Sequence, residues 1–195
     1  SNVIEGNWIG LSNTGTSASA NALRGLYAIN SAGNTIGGTS TASRNVIAGN
    51  TQQGIYFDNV DTSFVYGNYI GTNAAGTADI NGSTANTAQS GIVMLNGSSG
   101  NQIGNTIAGA RNVISGNNHY GAEVQGATSQ NNTVSGNYIG TNYTGLAALG
   151  NTNGGFSFWG SGTGNSFVAN VVAGNLGQGV LVGSAASGSK IHGNY

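Results

Sequence analysis

The chain has 195 residues, including 36 Gly and 29 Asn, no Pro and no Cys, and only 5% of it is charged, at a net charge of −1. An ordinary domain carries about 25% charged residues. The balance leaves no basic surface for nucleic acid and no apolar run for membrane insertion, and the missing Cys removes disulfides and thiolate metal sites.

Gly and Asn are poor helix residues and suit tight turns. Between them, three short apolar segments recur. The first set is Asn2-Val3-Ile4, Asn7-Trp8-Ile9 and Gly25-Leu26-Tyr27-Ala28. The second is Asn34-Thr35-Ile36, Asn45-Val46-Ile47 and Gly54-Ile55-Tyr56-Phe57. The third is Ser63-Phe64-Val65, Asn68-Tyr69-Ile70 and Gly91-Ile92-Val93-Met94. Asn101-Gln102-Ile103, Asn112-Val113-Ile114 and Gly121-Ala122-Glu123-Val124 follow. Then come Asn132-Thr133-Val134, Asn137-Tyr138-Ile139 and Gly155-Phe156-Ser157-Phe158. The last full set is Asn165-Ser166-Phe167, Asn170-Val171-Val172 and Gly179-Val180-Leu181-Val182, and a seventh begins at Ser189-Lys190-Ile191 and Asn194.

Short alternating runs bounded by Gly and Asn are strands, and their recurrence predicts a solenoid. The fold class is all-β: a right-handed parallel β-helix of about six to seven coils with three short strands each. Strands stacked about 4.8 Å apart give a rod roughly 30 Å long. Residues 1–195 form one solenoid unit, expected to be a slice of a longer repeat protein because both ends fall inside a repeat. Those open ends predict head-to-tail association of rods.

Insertions alternate. Odd coils carry them before the third strand, at 74–90 and 143–154; even coils carry them between the first two, at Gly37 to Arg44 and Gly104 to Arg111. The interval 165–188 has neither. The repeating unit is therefore a pair of coils. Arg44 and Arg111 each precede the Asn of an even coil and are expected to lie over a neighbouring Tyr.

Asn7, Asn45, Asn68, Asn112, Asn137, Asn170 and Asn194 occupy one fixed place, and a second Asn follows five residues later at Asn50, Asn73, Asn117, Asn142 and Asn175, with Ser12 in the first copy. Stacked Asn amides can accept from one turn and donate to the next, which assigns the columns to structure rather than ligand binding. Asn118 is expected to be exposed, outside them.

Outward on the second strand, Trp8, Val46, Tyr69, Val113, Tyr138, Val171 and Tyr195 alternate aromatic with Val. Two readings stand. The odd-coil loops fold over the stripe as cover, or Trp8, Tyr69, Tyr138 and Tyr195 form a platform for a linear polysaccharide or for lateral association of rods.

The carboxylates are Glu5, Asp58, Asp61, Asp79 and Glu123. Asp58 and Asp61 flank a turn without the oxygen count of a Ca²⁺ loop. Glu123, with His119 and Tyr120, forms a polar cluster read as solvated surface. No catalytic constellation, metal site or cofactor is expected.

The stretches Gly67-Asn68-Tyr69-Ile70-Gly71-Thr72-Asn73-Ala74-Ala75-Gly76-Thr77 and Arg111-Asn112-Val113-Ile114-Ser115-Gly116-Asn117 resemble the paired repeats of bacterial right-handed parallel β-helix repeat proteins, in the broad pectate-lyase-like superfamily. The resemblance spans the chain and implies a secreted or cell-surface protein. It does not select a function, because that superfamily includes lyases, hydrolases, tailspikes, adhesins and inert stalks. The leading expectation is a non-enzymatic stalk, adhesin or scaffold. The alternative is a carbohydrate-binding or carbohydrate-active β-helix whose catalytic residues lie outside this segment.

Overall fold

A computed structural model describes residues 1–81, 89–184 and 186–195. Its strands, numbered in chain order, form three parallel sheets. Sheet one stacks β1 (Val3–Ile4), β4 (Thr35–Gly37), β7 (Phe64–Tyr66), β10 (Gln102–Ile103), β13 (Thr133–Ser135), β16 (Ser166–Val168) and β19 (Lys190–His192). Sheet two stacks β2 (Trp8–Ile9), β5 (Val46–Ile47), β8 (Tyr69–Ile70), β11 (Val113–Ile114), β14 (Tyr138–Ile139) and β17 (Val171–Val172). Sheet three stacks β3 (Leu26–Ala32), β6 (Ile55–Asp61), β9 (Ile92–Leu95), β12 (Tyr120–Gln125), β15 (Gly154–Trp159) and β18 (Gln178–Val182). The chain visits the sheets in rotation, so it is a right-handed parallel β-helix. No helix among the described residues is long and apolar enough to cross a membrane.

Like stacks on like. Ile4 pairs in register with Ile36, Ile47 with Ile70, and Phe57 with Met94. Their inward side chains merge into one core running the length of the rod, to which Val60 and Ala122 also belong. Ile191 and Val182 are exposed because each ends its stack and has a neighbour on one side alone, Phe167 and Phe158 respectively.

The turn from sheet one to sheet two holds a continuous amide ladder. Asn45 Nδ2 donates to Asn68 Oδ1 at 3.0 Å, Asn68 to Asn112 at 3.1 Å, and Asn112 to Asn137 at 2.9 Å. The other Nδ2 hydrogen reaches a carbonyl of the preceding coil, as from Asn112 to Val65 at 2.8 Å. Each amide therefore joins three coils. A second ladder, before sheet one, runs Asn2, Asn34, Ser63, Asn101, Asn132 and Asn165.

The ladder before sheet three corrects the sequence reading. Asn50, Asn117 and Asn175 belong to it, but Asn73, Asn142 and Ser12 do not. In odd coils the insertion opens ahead of the ladder site and displaces that site to the insertion's far end. The rungs there are Asn21, Asn81 and Asn151: Asn21 donates to Asn50, Asn81 to Asn117, Asn117 to Asn151, and Asn151 to Asn175. Asn73 and Asn142 instead cap hairpin turns, their Oδ1 accepting from Thr77 N at 2.9 Å and from Leu146 N at 3.3 Å.

Those hairpins close on single antiparallel bridges, Leu11 to Ala18, Thr72 to Asp79 and Thr141 to Ala148. Of the 74–90 insertion, residues 82–88 lie outside the described residues. The hairpins also bond to one another two coils apart, Ala74 N donating to Gly15 O at 2.9 Å and Tyr143 N to Gly76 O at 3.0 Å. They form an outer layer over sheet two, under which Val46, Tyr69 and Val113 are buried.

Candidate functional site

The four aromatic residues of the sheet-two stripe do not share one environment. Tyr69 is 6% exposed and Tyr138 is half-buried, whereas Trp8 is 49% and Tyr195 84% exposed. The guanidinium of Arg44 lies 4.1 Å from the Tyr69 ring centroid, and that of Arg111 lies 4.1 Å from Tyr138. Arg44 Nε donates to Gly67 O at 3.1 Å and Arg111 Nε to Gly136 O at 2.9 Å. A hairpin glycine also approaches each ring closely. A Cβ on Gly76 would come 2.8 Å from Tyr69 Cε2, and one on Gly145 would come 2.8 Å from Tyr138 Cζ. Burial raises the Tyr69 phenol pKa, an effect opposed by Arg44 and reinforced by Tyr143.

The outer face of sheet three is different. Strand alternation sends Ala122 and Val124 into the core and turns Glu123 outward. The expectation of a solvated Glu123 is wrong: it is 4% exposed. Ser90, at the end of the 74–90 insertion, and His119, just before β12, close over it. Ser90 Oγ donates to Oε1, His119 Nδ1 lies 3.0 Å from the same oxygen, and Gln125 Nε2 donates to Oε2 at 3.0 Å. Ser90 Oγ also lies 3.0 Å from His119 Nδ1.

Burial by itself would push the Glu123 carboxyl pKa up. The hydrogen bonds from His119, Ser90 and Gln125, with the charge of His119, outweigh burial and hold it below the ordinary glutamate value. A carboxylate accepting three donors is stabilised in its charged form. With Nδ1 directed at Glu123, Nε2 is the imidazole atom left for an external group.

A cavity of about 370 Å³ opens beside this cluster, bounded by His119, Tyr120, Glu123, Gln125, Asn153, Trp159 and Leu181. A second, of about 160 Å³, shares His119, Glu123 and Gln125 with it and extends to Gln53 and Tyr56. A third, of about 330 Å³, shares Gln125 and Trp159 and extends to Leu95 and Gly160. Together they make a trough along the rod. The Trp159 indole, 54% exposed, crosses Gly183 of the next coil, where a Cβ would come 2.6 Å from the ring. Tyr120 Oη donates to Gln178 Oε1 at 3.3 Å. Burial raises the Tyr120 pKa, and Glu123 adds to the rise.

Sequence reasoning noticed Glu123, His119 and Tyr120 but missed Ser90, Gln125, Asn153 and Trp159. A signal was present: the residue before each sheet-three glycine is polar in most coils, as at Arg24, Gln53, Ser90, Tyr120 and Gln178. That column faces the same side as Glu123.

The low pKa of Glu123 has a measurable result. Its contribution to folding is complete above the ordinary glutamate pKa, about 4.3, and is lost as pH falls through the lower folded value. Wild-type protein should lose stability across that acidic window more steeply than Glu123→Gln. Parallel acid-limb stability curves for the two proteins would contradict the assignment.

Among the described residues no group of three or more His, Asp or Glu side chains is placed to hold a metal ion. Comparison of the chain with protein-family models, with curated proteins and with solved structures finds no match to any of them.

Proposed function

We propose that this chain is a structural segment of an extracellular repeat protein of the bacterial right-handed β-helix type, serving as stalk, adhesin or scaffold. The observation that carries the reading is the Asn7 to Asn194 ladder, in which coil is tied to coil by stacked amides, buried from Asn45 to Asn170. Such a rod resists being pulled apart coil by coil, because opening one coil strands the polar groups of the next. The scarcity of charge and the lack of Cys suit an exported repeat protein.

Pulling single molecules by residues 1 and 195 tests this. The expected record is a few unfolding steps, each releasing several coils. Gradual peeling of single coils at low force would remove the basis for a mechanical role. In the same preparation, polyuronates should yield neither unsaturated products nor new reducing ends; turnover that depends on Asp58 or Asp61 would make the chain an enzyme. A second reading, carbohydrate binding, is favoured by one observation: an exposed indole beside amides and a buried carboxylate in the sheet-three trough.

A further inference from the structure

Resting on that second reading, we infer that the sheet-three trough takes an uncharged glycan, laid along the rod with one sugar ring on Trp159, and discriminates against acidic sugars. The argument begins with length. Tyr56, Val93, Glu123, Ser157 and Leu181 occupy the same outward place in successive coils. Four strand spacings make about 19 Å, so the trough fits a short linear chain better than a single ring.

The walls give the chemistry. Trp159 supplies a flat apolar surface for the C–H face of a ring. Gln125 and Asn153 bring side-chain amides to the cavities, and His119 brings the Nε2 left over from its bond to Glu123. Such a mixture of one aromatic plane with a few fixed polar groups suits a hydroxylated ring.

Charge narrows the class. Glu123 places a carboxylate at the centre of the trough, with the His119 imidazole 3.0 Å from one of its oxygens. Its two oxygens are already occupied by Ser90, His119 and Gln125. The carboxylate therefore orients the site electrostatically and repels a second anion. Among the described residues, no Lys or Arg borders the three cavities. The Arg24 guanidinium is stacked 3.9 Å from the ring centroid of Tyr56, which borders the second cavity, and 4.8 Å from that of Tyr27. A uronic acid polymer would meet the Glu123 carboxylate with the His119 imidazole already directed at Glu123 and the Arg24 guanidinium already stacked on Tyr56.

Calorimetric titration of the whole chain with gluco-, manno- and xylo-oligosaccharides, and in parallel with oligogalacturonate and alginate oligomers, tests the inference. At least one neutral series should bind, and Trp159→Ala should weaken it about tenfold or more. Trp8→Ala should leave it unchanged. Glu123→Gln, with folding verified by its melting curve, should raise affinity for the acidic oligomers relative to the neutral ones. Binding of acidic oligomers in preference to neutral ones would overturn the inference and leave the carbohydrate reading standing. Failure of every oligosaccharide to bind would overturn both. Neutral binding insensitive to Trp159→Ala would show that the trough is not the site.

Discussion

Asn112→Ala should destabilise the protein by about 2–6 kcal/mol, far more than the loss of an ordinary surface amide. Asn112 Oδ1 accepts from Asn68 N at 2.9 Å and from Asn68 Nδ2 at 3.1 Å, while its Nδ2 serves Asn137 Oδ1 and Val65 O. Alanine leaves the two Asn68 donors stranded in a fully buried turn, at about 1–3 kcal/mol for each unsatisfied group, while the Val65 carbonyl loses one of its two donors and keeps Gly104 N at 2.8 Å. Asn13, exposed at a hairpin tip, is the proper control. Asn118, expected from sequence to be exposed, is half-buried and donates to Gln89 Oε1 at 3.0 Å, so it cannot serve. Equal denaturation midpoints for Asn112→Ala and Asn13→Ala would refute the ladder as a stabilising element.

Phe156→Ala should cost about 3–5 kcal/mol, the usual range for removing a buried aromatic side chain. The Phe156 ring is fully buried, stacked on Phe167 with centroids 4.2 Å apart and meeting Phe158 edge-on at 4.7 Å. Stacked coils cannot close up on a missing ring, since each is held at the strand spacing by its hydrogen bonds. The cavity therefore persists, and Phe156→Leu should be much milder. Urea midpoints, compared at constant slope, measure both. A loss of less than about 1 kcal/mol for the alanine variant would mean that the core re-forms around the gap.

The fold could be read from sequence because its determinants are local and repeated. Most inward Ile and Val residues sit two residues after an Asn or one after a Gly, and six copies average out the ambiguity of any one. The placing of Arg44 on Tyr69 and Arg111 on Tyr138 was readable for the same reason: both recur with the coil pair. The third ladder was misread at Asn73 and Asn142 because a hairpin cap and a ladder rung use the same residue for the same hydrogen-bonding versatility. Only the point at which the insertion leaves the coil separates them. Glu123 was misread because its burial depends on Ser90, contributed from a different coil after a long insertion. Trp159 carried no periodic signature at all, occurring once at its position.

The hairpin layer limits how such a rod can change length. Gly15 to Ala74 and Gly76 to Tyr143 are contacts between alternate coils, with Val46 and Val113 filling the intervening places. Gain or loss of a single coil would set hairpin directly against hairpin and bring two aromatic rings to adjacent rungs. Duplication or deletion of a coil pair restores every neighbour relationship. The unit of inheritance along this architecture is thus the doublet, and recombinants or designs with shuffled coils should be viable when their breakpoints fall two coils apart.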